Sequence, residues 1–110
     1  MCQTVAIGEP IYSSLAADPD LREIVLMFVD EMPDRVATLS SELTARDWDG
    51  LRRTTHQLKG AAGSYGFASI SHAAATLESA LRNCEPEEQV RAAAVELVDL
   101  CNRVRCEPPA

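Results

Sequence analysis

The side chains best able to do chemistry in this 110-residue chain lie around His56. On a helix, Arg52, Lys59, Gly60 and Gly63 fall at positions −4, +3, +4 and +7 from His56, so they lie on its side of the helix. A neutral imidazole is a nucleophile at neutral pH, because its unperturbed pKa is about 6.5. Lys59 is the only lysine of the chain, and its compact charge suits phosphate oxygens. The pattern predicts a histidine that accepts an anionic group.

Gly60 is unexpected at this place in a helix. A glycine inside a helix costs about 1 kcal/mol relative to alanine, and alanine is abundant in this chain. The missing side chain would leave room beside the imidazole for a bulky group or for the backbone of another protein. The alternative interpretations stay open: His56 as an ordinary surface residue, Gly60 as a helix-packing residue and Lys59 as a solubilising one.

The distribution of charge separates this segment from the rest of the chain. The chain has 10 basic and 17 acidic residues and a net charge of −7, which disfavours a nucleic-acid-binding role because that role needs a broad cationic surface. Residues 46–64 contain four basic and two acidic groups, a net of +2, and the remaining residues therefore have a net of −9. The sequence predicts a small basic site on an acidic body.

Other potential site residues have simpler explanations. Arg52 and Arg53 more often belong to a solvated face than to a phosphate site, and His72 is expected at a helix surface. A metal site is disfavoured because no histidine or cysteine pair has i, i+4 or Cys-x-x-Cys spacing. The four cysteines are expected to be free thiols, with Cys84 and Cys101 at apolar helix positions. No apolar run approaches the roughly 20 residues that span a bilayer, and the N-terminus lacks a signal-peptide pattern, so we expect a cytoplasmic protein.

Apolar periodicity predicts an all-α fold, an antiparallel up-and-down helical bundle over residues 18–106. Residues 1–17 are expected to be an N-terminal lead-in whose Ile11 and Leu15 dock on the core, and residues 107–110 a frayed tail. Asp18-Pro19 is expected to start the first helix, with a kink or brief break at Pro33. The stripe of this helix is Leu21, Ile24, Val25, Phe28, Val29 and Met32, resuming at Val36, Leu39 and Leu43.

Three further helices follow. Asp47 is expected to cap the helix that carries His56, whose core stripe is Trp48, Leu51, Thr55, Leu58 and Ala62. Two glycines, Gly63 and Gly66, are expected to end it. The next helix has the stripe Ile70, Ala73, Ala74, Leu77 and Leu81, and the last one, after a turn at residues 83–86, has Val90, Ala94, Leu97, Cys101 and Val104.

The segment His56-Gln57-Leu58-Lys59-Gly60-Ala61-Ala62-Gly63-Ser64, followed by Tyr65-Gly66-Phe67, resembles the signature of histidine-containing phosphotransfer (HPt) domains of two-component phosphorelays. The resemblance extends from about Leu21 to Leu81. It includes the Asp-Trp pair before the histidine helix and the Ala-x-x-Leu-Glu pattern of the helix after it.

The resemblance implies an all-α, antiparallel up-and-down four-helix bundle in which His56 is transiently phosphorylated. Lys59 would contact the phosphoryl group, and Gly60 and Gly63 would give access to it, with Arg52 and Ser64 in the docking surface. The group would come from a phospho-aspartate on a receiver domain and pass to another receiver. The partners would be response-regulator or hybrid-kinase receivers, which supply Mg²⁺ and an acidic pocket. The chain would bind no cofactor or metal of its own. It would be a monomeric carrier rather than an enzyme, and it would contact neither nucleic acid nor membrane.

Two hypotheses of other classes remain at this point. The chain could be a non-phosphorylated helical interaction module that docks a receiver domain and uses His56 only as surface. It could also be a small hydrolase with His56 as acid/base, which is disfavoured because no paired carboxylate lies at i±3 or i±4.

Overall fold

The computed structural model describes residues 9–106. Four helices make up the fold: α1 (Arg22–Thr44), α2 (Trp48–Ser64), α3 (Ala68–Arg82) and α4 (Glu87–Cys101). Each helix contacts the next one along the chain, and α4 also contacts α1. The predicted helical bundle of four helices is therefore confirmed.

The predicted core stripes of α2, α3 and α4 are largely confirmed. Apart from Trp48 and Leu81, which are half-buried, every predicted stripe residue of these helices is buried, and Val104 just beyond α4 is buried too. Thr55 is fully buried in the stripe of α2 with its hydroxyl unpaired. Buried side chains facing one centre fix the rotation of each helix, and this rotation decides which side chains of α2 and α3 meet outside the core.

Helix α1 differs from its prediction in three ways. It begins at Arg22 rather than at Asp18-Pro19, because the Asp18 carboxylate accepts the backbone N–H of residue 20 at 2.9 Å and forms a separate turn. It runs through Pro33 without a break. Ile24, predicted in the core, is 37% exposed.

The continuity of α1 at Pro33 has a packing explanation. Proline inside a helix removes one hydrogen bond and costs about 3 kcal/mol. Met32 and Leu39 are buried in the same core on either side of it, while Pro33 itself lies on the exposed face. Burial of a large aliphatic side chain contributes about 1.5–3 kcal/mol, so the burial of Met32 and Leu39 together offsets the cost of the proline.

Each connection between helices contains one residue in the left-handed region: Arg46 (φ 56°), Gly66 (φ 85°) and Cys84 (φ 53°). The prediction that Cys84 lies at an apolar helix position is wrong. Helix α3 ends at Arg82, and Cys84 is exposed in the turn that follows. A Cβ on Gly66 would lie within 3 Å of the hydroxyls of Ser13 and Ser14, so both its φ and its surroundings require glycine there.

The two ends of the described chain meet. Strand β1 (Ile11–Tyr12) pairs in parallel with β2 (Val104–Arg105). Ile11 and Leu15 pack against the core, which confirms their predicted docking. Ser13 is buried, and its hydroxyl donates to the Tyr65 carbonyl at 2.5 Å. The first eight residues of the predicted lead-in and the predicted tail, residues 107–110, lie outside the described residues.

Candidate functional site

Helix α2 presents His56 to solvent. The helix begins after Asp47, whose carboxylate accepts the backbone N–H of Gly50 at 3.1 Å, as the predicted N-cap requires. Leu51, Thr55 and Leu58 are buried in the core, and their burial directs His56 outward on the other side of the helix. The His56 side chain is 65% exposed, so the prediction of a solvated imidazole is confirmed.

Helix α3 contributes a carboxylate to the back of this imidazole. Oε2 of Glu78 lies 2.8 Å from Nδ1 of His56. The other carboxylate oxygen, Oε1, accepts a hydrogen bond from Nζ of Lys59 at 2.6 Å. Arg82, one turn further along α3, places its guanidinium 3.1 Å from Oε2. One carboxylate thus joins the histidine and two cations.

The Glu78 contact selects one tautomer of His56. An ionised carboxylate only accepts hydrogen bonds, so Nδ1 must carry the proton and donate it. The other ring nitrogen, Nε2, then has the free lone pair. The side chain is largely exposed, and a ring nitrogen with a free lone pair has the chemistry of a nucleophile.

Glu78 is nearly inaccessible to water, since its side chain is only 5% exposed. Burial alone would raise its pKa, but the hydrogen bond from Lys59, helped by that from His56, lowers the pKa below the ordinary 4.5. Glu78 is therefore ionised at neutral pH. Lys59 is 34% exposed and Arg82 63%, so both cations keep donors free for a further anion.

The surface beyond Lys59 is kept open by small residues. A Cβ on Gly60 would meet nothing within 4 Å, so no neighbour in the described chain requires a glycine there. A Cβ on Gly63 would lie 3.4 Å from Oγ of Ser71. That hydroxyl donates to the Lys59 carbonyl at 3.0 Å and ties α3 to the middle of α2.

The other candidates occupy the two sides of His56. Arg52 and Arg53 line a groove with His56, Glu78 and Arg82. Gly63 lines a separate depression with Ser71 and His72. Ser64 is exposed at the last position of α2, eight residues or about 12 Å along the helix from His56. The structure thus brings His56 and Lys59 together and leaves Ser64 at a distance.

Tyr65 and Phe67 pack under the turn that follows the histidine helix. Phe67 is buried and Tyr65 half-buried. The ring of Phe28 from α1 lies 5.2 Å from that of Phe67 and 5.3 Å from that of Tyr65, measured between centroids. This cluster anchors the end of α2 against α1.

Sequence reasoning missed Glu78 and Arg82 as site residues. Helical spacing around His56 relates it only to residues of its own helix, whereas Glu78 comes from α3, 22 residues away. A signal was present, because Glu78 stands at i+8 from Ile70, a position that belongs to the core stripe of its helix. A glutamate at such a position is rarely buried without a partner.

Within residues 9–106, no group of three or more histidine, cysteine, aspartate or glutamate side chains is arranged to hold a metal ion. No helix in the same part of the chain has the length and apolarity needed to cross a membrane.

Comparison with known proteins identifies the family. The family model described as Hpt domain matches residues 23–106. The chain belongs to the Hpt domain family. No curated protein and no solved structure matches the chain.

Membership in this family establishes the general role of the chain. Hpt domains take part in phosphorelay phosphotransfer as carriers rather than catalysts, and they interact with receiver domains. In this Hpt domain the matched range contains all of α2 and α3, hence the whole cluster of His56, Lys59, Glu78 and Arg82.

Proposed function

We propose that this Hpt domain accepts a phosphoryl group on Nε2 of His56 from a phospho-aspartate of a receiver domain and passes it to another receiver of a two-component phosphorelay. The observation that carries the proposal is the contact between Nδ1 of His56 and the Glu78 carboxylate at 2.8 Å. It leaves Nε2 unprotonated and exposed, which is what a nucleophile toward phosphorus requires.

The cations of the site support the same role. Phosphoryl transfer depends on positioning and on compensation of charge more than on covalent chemistry by the carrier. Lys59 and Arg82 lie on the carboxylate that holds the imidazole, so both can turn a donor toward a group bound to His56. Lys59 is the residue we expect to contact the phosphoryl oxygens.

The surface around His56 suits a protein partner. Gly60 faces open space, which leaves room for the backbone of a receiver. Arg52 and Arg53 add positive charge to the groove beside the imidazole, and we expect them to meet the acidic pocket of the receiver. Gly63 and Ser64 are expected at the edge of this surface. We expect Mg²⁺ to be bound by the receiver and not by this chain.

The proposal includes the arrangement and location of the domain. Short connections favour helices that run up and down in alternation. We propose a monomer in the cytoplasm, and the three free thiols among the described residues, Cys84, Cys101 and Cys106, suit a reducing compartment.

The experiment is transfer of radioactive phosphate from a phosphorylated receiver domain to the wild type, to His56→Gln and to His72→Gln. The two variants each remove one of the two histidines of the chain. We expect acid-labile, alkali-stable label on the wild type and on His72→Gln, and none on His56→Gln.

Label on His56→Gln at the wild-type rate would contradict the assignment of the site. Tight binding of receivers without any transfer of label to the wild type would instead support the non-phosphorylated interaction module.

A further inference from the structure

Glu78 places a negative charge behind the imidazole that would receive a doubly charged phosphoryl group. Its Oε2 contacts Nδ1 of His56, and its two oxygens hold Lys59 and Arg82, the cations that a phosphoryl group would also attract. A carrier built only to store phosphate would gain more from a neutral side chain at this position. A neutral hydrogen-bond acceptor could also select the tautomer of the unphosphorylated ring, so the negative charge of the carboxylate calls for a further function.

We propose that Glu78 keeps the proton of Nδ1 on His56 while the phosphoryl group is bound, and so makes phosphorylated His56 a short-lived intermediate that discharges readily. The inference rests on the proposed function, since it concerns His56 as the phosphoryl acceptor. Glu78 acts through His56 and is a positioning residue.

The bond changes show what the proton does. On acceptance, the lone pair of Nε2 forms the N–P bond, and the P–O bond of the aspartyl phosphate breaks with its electron pair on the leaving carboxylate. The proton stays on Nδ1, so the ring becomes an imidazolium whose positive charge faces Glu78 at hydrogen-bond distance. On discharge, an oxygen of the acceptor forms a new P–O bond to the phosphoryl group; the acceptor is the aspartate carboxylate of the next receiver, or water during hydrolysis. The electrons of the N–P bond return to Nε2, and the ring leaves as neutral imidazole because Nδ1 has kept its proton.

The cations act in the same direction. While Glu78 is ionised, Lys59 and Arg82 divide their charge between the carboxylate and any phosphoryl group on His56. The charged groups around the ring come from two helices. Helix α2 contributes Asp49, Arg52, Arg53 and Lys59, and helix α3 contributes Glu78 and Arg82. The buried carboxylate is the only one of these in direct contact with Nδ1 among the described residues.

The test phosphorylates His56 chemically with potassium phosphoramidate, which makes it independent of any receiver. Loss of the phosphoryl group is then followed from about pH 6 to about pH 10 in the wild type, Glu78→Gln, Glu78→Asp and Glu96→Gln. An imidazolium in water loses one of its two N–H protons near pH 6.5. We expect fast discharge to persist to higher pH in the wild type, and the midpoint of the profile to fall by about 1–3 pH units in Glu78→Gln.

The controls separate charge from structure. Glu78→Asp keeps a carboxylate and is expected to restore part of the wild-type profile. Glu96→Gln removes an equal charge from an exposed position of α4 and is expected to leave the profile unchanged. Superimposable profiles for the wild type and Glu78→Gln would overturn the inference.

A measurement on the wild type alone guards against a misfolded variant. In ¹⁵N-histidine NMR of the phosphorylated protein at about pH 8, Nδ1 is expected to be protonated, whereas an unpaired ring would have lost that proton. A deprotonated Nδ1 would overturn the inference. The proposed function would fail separately, if receivers transferred no label to a protein that phosphoramidate phosphorylates at His56.

Discussion

Lys59 and Glu78 form an ion pair of 2.6 Å between Nζ and Oε1, across the interface of α2 and α3 and beside His56. The lysine is thereby positioned next to the imidazole before any phosphoryl group arrives. Its ammonium group remains one-third exposed, so it has hydrogens left for a second anion.

Replacement of Lys59 by glutamine is expected to slow phosphoryl transfer from a receiver to His56 by about 10- to 100-fold, because a hydrogen bond to a charged group contributes about 1.5–3 kcal/mol. Lys59→Arg keeps the charge and should lose less. Arg22→Gln removes an equal charge from an exposed residue at the start of α1 and serves as control. Single-turnover transfer rates check the prediction, and equal rates for Lys59→Gln and Arg22→Gln would contradict it.

Substitution of Gly60 separates access from folding. Gly60→Ala adds a methyl group where nothing lies within 4 Å, and the helix should gain about 1 kcal/mol of unfolding free energy from the better propensity of alanine. Gly60→Leu should fold as well but slow transfer from a receiver at least about tenfold, because it fills the space left for the partner. Phosphorylation by the small donor phosphoramidate should be unaffected. If Gly60→Leu slowed both reactions equally, the open space would not serve a partner.

The sequence predicts the parts of this site that depend on spacing within one helix, but not the contact that depends on how two helices pack together. Apolar spacing in α2 predicts that Leu51, Thr55 and Leu58 point inward, and this fixes His56 outward on the same helix. The contact of His56 with Glu78 depends instead on the rotation of α3 against α2, which no spacing within one helix encodes. The start of α1 is later than predicted because the Asp18 side chain caps a separate turn that precedes the helix.

The ionised state of Glu78 gives the stability of the protein a particular dependence on pH. Its pKa in the folded protein lies below the ordinary 4.5, chiefly through the hydrogen bond from Lys59. Because the folded-state pKa is the lower one, this stabilisation is complete above about pH 4.5 and is lost as the pH falls through the folded-state pKa.

Urea unfolding of the wild type and Glu78→Gln at neutral pH and in acid measures this contribution. At neutral pH we expect Glu78→Gln to be less stable by about 1.5–3 kcal/mol, the range for loss of a hydrogen bond to a charged group. As the pH falls through the folded-state pKa of Glu78, the difference in unfolding free energy between the two proteins should shrink. A difference that stayed constant with pH would show that the ion pair does not contribute in this way.

The thiols of Cys84 and Cys101 are expected to differ sharply in reactivity. Burial raises the pKa of the Cys101 thiol to about 12 from the ordinary 9.0. Its thiolate fraction near pH 8 is therefore about a thousandfold lower than that of a thiol with the ordinary pKa. Cys84 is exposed in the α3–α4 turn. Alkylation with iodoacetamide and peptide mass spectrometry should label Cys84 quickly and Cys101 only in urea. Equal labelling of the two in the folded protein would contradict the burial of Cys101.

The pairing of β1 with β2 determines how the domain responds to a stretching force applied at its two ends. The two strands are parallel, so a pull on residue 9 and an opposite pull on residue 106 act along the strands and load their hydrogen bonds in shear. The bonds must then break together rather than one after another. Tension applied through the two ends is borne first by this strand pair, and it reaches the helices that hold His56 and Glu78 only after the pair has separated.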